Sequence, residues 1–216
     1  MASSEQPLLI IGNRTFAAEV ADLVSEIPGF RVVGFVESMD PARCQGTLEG
    51  LPILWVDELT RLGGTHCVVF GLGTTKSSLF AEQVAAFGIR FATLVHPTAR
   101  ISSTSSLGEG TLASVGVIVA AHTHVGRHVV INRGALIGHH TEISDFAAIG
   151  PGANIAGNCR IGAATYIGMG AVVIDHLTIG AHSVVGAGSV VTKDVPDRVM
   201  VVGVPARIVK KDIAGK

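Results

Sequence analysis

From Val95 to Val191 every sixth residue is aliphatic: Val95, Ile101, Leu107, Ala113, Val119, Val125, Ile131, Ile137, Ile143, Ile149, Ile155, Ile161, Ile167, Val173, Ile179, Val185 and Val191. A period of six fits neither a helix of ~3.6 residues per turn nor a strand alternating every two. It is the mark of a parallel β-helix of hexapeptide repeats, in which three short strands make one coil and the aliphatic side chain points into the prism. Four residues after most of these positions stands a small side chain, among them Thr111, Thr123, Ala135, Thr141, Ala147, Ala153, Cys159, Thr165, Ala171, Ser183 and Ser189. A corner with no room for bulk requires this. Glycine often follows the aliphatic residue directly, as at Gly138, Gly150 and Gly162. About five coils of roughly eighteen residues fit between Ile101 and Val191, and stacking them buries one continuous column.

The rest of the composition agrees. The 16 Lys and Arg against 17 Asp and Glu leave no basic field for nucleic acid or an anionic membrane. The 27 glycines and few charges suit short strands joined by tight turns and are the opposite of a disordered chain. The opening MASSEQPLLIIG lacks the positive n-region of a secretory signal. No segment reaches the ~20 apolar residues of a membrane span. Cys44, Cys67 and Cys159 are scattered, without CxxC spacing, as reduced structural thiols are. The expectation is a cytoplasmic protein with neither nucleic acid nor membrane as partner.

Residues 1–97 follow a different rhythm. Strands are expected at residues 7–12 (PLLIIG), 31–37 (RVVGFVE), 51–56 (LPILWV) and 65–73 (THCVVFGLG). Helices are expected at residues 15–27, with Thr15 as N-cap, and at residues 77–88. Alternation of this kind predicts a small parallel sheet flanked by helices, Rossmann-like in its first units. The fold class is therefore an α/β Rossmann-like domain over residues 1–97 followed by a parallel β-helix of hexapeptide repeats over residues 98–216.

With LVHPTA at the junction (Leu94 to Ala99), IGHH…IGPGANIAGN from Ile137 to Asn158, and VVGVPARIVKK from Val201 to Lys211, nearly the whole chain resembles the NeuD/PglD-type sugar acetyltransferases. The resemblance implies a left-handed β-helix, against the hand that ordinary crossovers prefer, and a homotrimer. It implies acetyl-CoA as co-substrate, bound along the β-helix between neighbouring subunits. The acceptor would be the amino group of a nucleotide-linked amino sugar of the 4-amino-4,6-dideoxy type, its nucleotide end on the N-terminal domain.

The same resemblance assigns residues. His139 alone fits the family's frame H-[DE]-C-x-I-G and is the expected general base, since an amine must shed a proton as it attacks the thioester and an imidazole can take it near neutral pH. Where the family has an acid, this chain has His140, which leaves Glu142 as the group expected to orient His139. On the acetyl-CoA side stand Gly157, where the pantetheine arm passes close to the backbone, Met169 and Ala187 in the same groove, and the cations Lys193, Arg207, Lys210 and Lys211 near the adenosine phosphates. On the acceptor side stand Gly12, Arg14 with a helix N-terminus behind it for a phosphate, Glu37, Gly73, Thr74, Asn132 and His140. The N-terminal loop departs from the family: Gly12-Asn13-Arg14-Thr15-Phe16 replaces G-x-G/S-G-H, and Glu37-Ser38 replaces an Asp pair.

Nine histidines invite a rival. His122 and His140 are eighteen residues apart and are expected to stack on adjacent rungs, with His124 nearby. Three histidines and a water would suit a zinc enzyme such as the β-helical carbonic anhydrases, but that family uses an H-x4-H pair and this chain has only HTH, HxxxH and HH. No metal is expected. An O-acetyltransferase of the sialic-acid type and a non-catalytic trimeric scaffold both fit the same repeat pattern. His96 is read as structural, His128, His176 and His182 as solvated turn residues, and Cys159 as core.

Overall fold

The computed structural model describes residues 5–216, so the first four residues of the opening run, read as no secretory signal, lie outside the described residues. The chain divides into two compact units: the residues up to Gly73 with Ser77–Pro97, and Thr74–Lys76 with Thr98–Lys216. Among the described residues no helix is long and apolar enough to cross a membrane.

In the first unit, strands β1 (Gln6–Ile11), β2 (Phe30–Glu37), β3 (Thr47–Leu48), β4 (Leu51–Trp55), β5 (Cys67–Phe70) and β6 (Arg90–Phe91) form one sheet in the order β3-β4-β2-β1-β5-β6. All neighbours run parallel except the β3/β4 hairpin. Central β1 buries Leu8 to Ile11 almost completely, as a strand covered on both faces does. Helix α1 (Thr15–Ser25) packs Ala17, Val20, Leu23 and Val24 inward, and α2 (Ser78–Ala86) follows β5. Thr15 is not the N-cap. Arg14 holds that position in extended conformation, and no side chain caps α1. The strand expected over residues 65–73 is shorter because Thr65 and His66 donate back to the Leu62 carbonyl. His96 is buried, with Nε2 3.2 Å from Glu26 Oε2.

The second unit is a three-sided coil. Its first face carries two-residue strands from Leu112–Ala113 to Val184–Val185, its second from Arg100–Ile101 to Val190–Val191, and its third from Ser106–Leu107 to Thr178–Ile179. Successive strands on a face are parallel and in register at a spacing of eighteen. Ile131, Ile137, Ile143, Ile149, Ile155 and Ile161 are all at most 2 % exposed, so the six-residue period is the packing period of the core. The small positions do more than avoid a clash. Thr111, Thr123 and Thr165 donate to the Gly126, Gly138 and Gly180 carbonyls at 2.7–2.8 Å, which satisfies buried hydroxyls that would otherwise be costly.

Five of the nine histidines, His122, His128, His140, His176 and His182, occupy one recurring turn position with φ between 55° and 61°. Histidine is enriched in that left-handed region, so the histidine density has a backbone cause. His128 departs from its expected exposure: it is half-buried, with its ring 4.9 Å from that of Phe146.

Candidate active site

His139 and His140 project from the corner between the second and third faces, directly after the strand Leu136–Ile137. Gly138 lies so close to the backbone of Ala156 and Gly157, one coil on, that a side chain there would overlap it. The turn is pinned on both sides: His140 N–H donates to the Ala121 carbonyl at 3.0 Å, and Asn158 N–H donates to the His139 carbonyl at 2.8 Å.

Both rings are exposed. Their Nδ1 atoms lie 3.0 Å apart, with the ring planes near perpendicular at 85°. A contact between two imidazole nitrogens needs one N–H donor and one lone pair. The His140 ring lies 4.8 Å from that of His122 and is tilted at 43° to it, so the two are neighbours on adjacent rungs, as the repeat predicts, without stacking. Beneath His139 lies Gly157, where a Cβ would come within 2.7 Å of Cε1 and 2.9 Å of Nε2. Glycine at 157 therefore seats an imidazole, a partner that the sequence pattern does not assign to it.

Glu142, expected to orient His139, has another partner in the structure. It stands outward on the third face, in register with His124 and Arg160, and its Oε2 is 3.5 Å from Arg160 Nε. His139 stands at the corner and has His140 as its nitrogen partner. The phase of the repeat carries this pairing, because residues 124, 142 and 160 are eighteen apart.

The coil separates other expected site residues. Met169 and Ala187 follow the first-face strands Tyr166–Ile167 and Val184–Val185, and Gly188 N–H donates to the Met169 carbonyl at 2.9 Å. Asn132 follows Val130–Ile131 at that same corner, its Oδ1 accepting from Arg133 N–H at 3.2 Å. Gly157 and His139 stand at the next corner, across the second face, so one chain does not gather Gly157, Met169 and Ala187 into a single groove. Lys193, Arg207, Lys210 and Lys211 are exposed, Arg207 with its guanidinium donating to the Ala206 carbonyl at 2.9 Å.

In the two coils that precede the histidine pair is an open cavity of about 540 Å³ lined by Arg100, Ser102, Ser103, Ile118, Ala120 and Ala121, among others. Motif reading singles out none of these residues. Ala121 and Ser103 precede His139 by one and two coils, so counting by phase is the signal that locates them.

In the first unit, the expected acceptor residues Gly12, Arg14, Glu37 and Gly73 fall at or just beyond the C-terminal ends of β1, β2 and β5. Gly12 has φ +118°, and a Cβ there would meet the Gly71 carbonyl oxygen at 2.8 Å. Exposed Arg14 stands before the uncapped first amides of α1, which carry partial positive charge. Glu37 is buried and holds its own loop: Oε1 accepts from Ser38 and Met39 N–H at 2.9 and 2.7 Å, and Oε2 is 3.9 Å from Arg43. Thr74 belongs to the second unit, where its hydroxyl donates to the Lys216 carbonyl at 2.6 Å and accepts from Lys76 N–H.

The thiols are poor nucleophiles. Burial raises the Cys159 pKa, with Sγ 3.2 Å from the Ile174 carbonyl, and pushes Cys67 up to about 11. Burial, and then Glu37, raises Cys44. Among the described residues no three His, Cys, Asp or Glu side chains form a group that could hold a metal. His124 Nδ1 pairs with Ser106 Oγ instead, at 3.0 Å.

The family model for bacterial transferase hexapeptide (six repeats) matches residues 158–193. Over most of its length the chain is similar to PerB from Caulobacter crescentus in complex with CoA and GDP-perosamine: 31% identity, TM-score 0.87, covering 94% of this chain and 97% of that one. A histidine-to-asparagine mutant of perosamine N-acetyltransferase from the same organism, also with CoA and GDP-perosamine, matches at 29% identity and TM-score 0.88, covering 95% and 97%. The acetyltransferase domain of PglB from Neisseria gonorrhoeae FA1090, in complex with acetyl coenzyme A, matches at 28% identity and TM-score 0.88, covering 95% and 100%. The search of the curated proteins gives no significant match.

Proposed function

The chain belongs to the hexapeptide-repeat sugar acetyltransferases, left-handed β-helix enzymes, and from that premise we propose that it transfers the acetyl group of acetyl-CoA to the amino group of a nucleotide-linked amino sugar. The observation that carries this reading is the seating of His139: an exposed imidazole, resting on Gly157 and engaged at Nδ1 by His140. With a proton on Nδ1, its Nε2 lone pair is left for the acceptor. The neutral amine attacks the thioester carbonyl, and the C–N bond forms. Nε2 takes the proton from nitrogen, the C–S bond breaks, and the CoA thiolate leaves. Backbone N–H groups of the surrounding turns are the donors for the oxyanion. Transfer is direct, in keeping with the raised thiol pKa values.

Within the β-helix, the cavity lined by Arg100, Ser102 and Ser103 offers the polar groups that a sugar takes. The acceptor's nucleotide belongs on residues 1–97, read as a Rossmann-like domain. The parallel order β4-β2-β1-β5-β6 supports that reading, since the order reverses at β1, beside Gly12 and Arg14. Acetyl-CoA belongs along the β-helix, and Met169, Ala187 and the exposed cations remain its proposed contacts. A trimer accounts for the separation of these residues from Gly157, because a neighbouring subunit can bring its own corner across the second face. GDP-perosamine, bound in the PerB complex, is the first acceptor to try.

The test is CoA release from acetyl-CoA with UDP-, dTDP- and GDP-linked 4-amino sugars, comparing wild type with His139→Ala. Turnover on one acceptor that falls on the order of 10²-fold or more in the variant fits loss of a general base. Turnover only on a sugar hydroxyl would move the assignment to O-acetylation. Acetyl-CoA binding without turnover would leave a scaffold.

A further inference from the structure

The seated imidazole needs a fixed tautomer, and the residue beside it is not the one that usually fixes a histidine. Carboxylates and carbonyls accept from Nδ1–H without ambiguity, whereas a second imidazole can donate or accept. The Nδ1 atoms of His139 and His140 are 3.0 Å apart, so one ring donates to the other. If His140 donated, His139 would spend its Nδ1 lone pair on the contact, carry its proton on Nε2, and have nothing left with which to accept one. If His139 donates, Nε2 is free.

We propose that His140 is the positioning residue of the site: a neutral imidazole whose Nδ1 lone pair accepts from His139 Nδ1–H and so holds the His139 lone pair on Nε2. This deepens the acetyltransferase reading and rests on His139 being the base in it. The direction follows from the need for a free Nε2, and three features keep the partner in place for it. The His140 backbone is locked by its N–H to the Ala121 carbonyl and by φ +55°, so the ring springs from a fixed point. Its ring lies 4.8 Å from that of His122, tilted at 43°. The nearby acid, Glu142, is engaged with Arg160. When His139 gains a proton on Nε2 during transfer, its Nδ1–H still points at a lone pair, and the contact survives the catalytic cycle.

The decisive measurement does not depend on any acceptor. Ring-nitrogen NMR of the full-length protein labelled in histidine reads the tautomer directly, with His139→Gln and His140→Phe used for assignment. In mildly alkaline solution, His139 in wild type should be protonated at Nδ1 and His140 at Nε2. In His140→Phe, which keeps the ring volume but offers no lone pair, His139 should lose that bias, and kcat should fall about 10-fold or more with the KM for acetyl-CoA unchanged. His140→Asn, whose amide oxygen occupies the place of Nδ1, should restore the Nδ1–H form of His139. A wild-type His139 protonated at Nε2, or a tautomer unchanged in His140→Phe, overturns the proposal. The acetyltransferase reading fails separately, through absence of turnover in the wild type.

Discussion

The imidazole of His139 lies on the Cα of Gly157, one coil further along, at the place where a Cβ would come within 2.7 Å of the ring. Gly157 has no left-handed φ, so alanine fits its backbone, and the three atoms nearest an added Cβ all belong to the ring. Gly157→Ala is therefore expected to leave the fold intact and displace His139, lowering kcat about 10-fold or more, since a misplaced base forfeits most of its benefit. Steady-state kinetics with both substrates, beside circular dichroism, checks this. A rise in the KM for acetyl-CoA with kcat preserved would instead return Gly157 to the pantetheine arm.

Arg14 is the proposed contact of the other substrate. It stands exposed at the uncapped N-terminus of α1, where a guanidinium and open amides together attract a diphosphate. Arg14→Ala should raise the KM for the nucleotide sugar roughly tenfold, leave the KM for acetyl-CoA unchanged, and lose less on a truncated acceptor without the nucleotide. Equal losses on both acceptors would remove the phosphate from this loop.

These two residues illustrate what the sequence could convey. Six-residue spacing specifies a three-sided coil because inward positions must be apolar and corners must be small, and Ile131 to Ile161 are buried as that rule requires. Counting modulo eighteen also carries the nearness of His122 to His140, the pairing of Glu142 with Arg160 and the cavity before His139. What it does not carry is the rotamer a side chain adopts. Gly157 lies eighteen residues after His139, so phase places the two on adjacent coils, but only the side-chain torsions lay the ring over that Cα, and Glu37 likewise folds onto the amides of Ser38 and Met39. Nor does composition reveal that five histidines are present where the backbone is left-handed. Two of them, His122 and His140, are the ones that together with His124 suggest a zinc site when counted as ligands, whereas their turn position already gives a reason for histidine there.

His128 offers a pH test independent of catalysis. Burial against Phe146 lowers its pKa in the folded protein, while in the unfolded chain it titrates near about 6.5. As pH falls through ~6.5 the unfolded state takes up the proton first, so stability present at higher pH is lost until the folded pKa is reached. His128→Asn tolerates φ +57° and removes this dependence. Urea unfolding at about pH 7.5 and 5.5 should show a larger drop for wild type than for the variant. Equal drops would mean that the fold does not hold His128 neutral.

The second face carries the last prediction. Ile118, Leu136 and Val172 stand in one column on it, with Asn154 between the last two, and are 43 %, 40 % and 36 % exposed, a mostly aliphatic surface that a lone subunit leaves in water. The same face lies between the corner of His139 and Gly157 and the corner of Met169 and Ala187. Packing it against a neighbour would both cover that surface and let corners of two chains meet, so assembly and activity should fail together. Leu136→Asp places a charge in the middle of the column, where desolvating it without a partner is costly. Light scattering should show the proposed trimer giving way to monomers, circular dichroism should stay β-helical, and acetyl transfer should fall on the order of 10²-fold or more, as loss of a shared site implies. A variant that keeps both its mass and its turnover would mean that the second face is not the interface, and the two corners would have to be joined by the substrates alone.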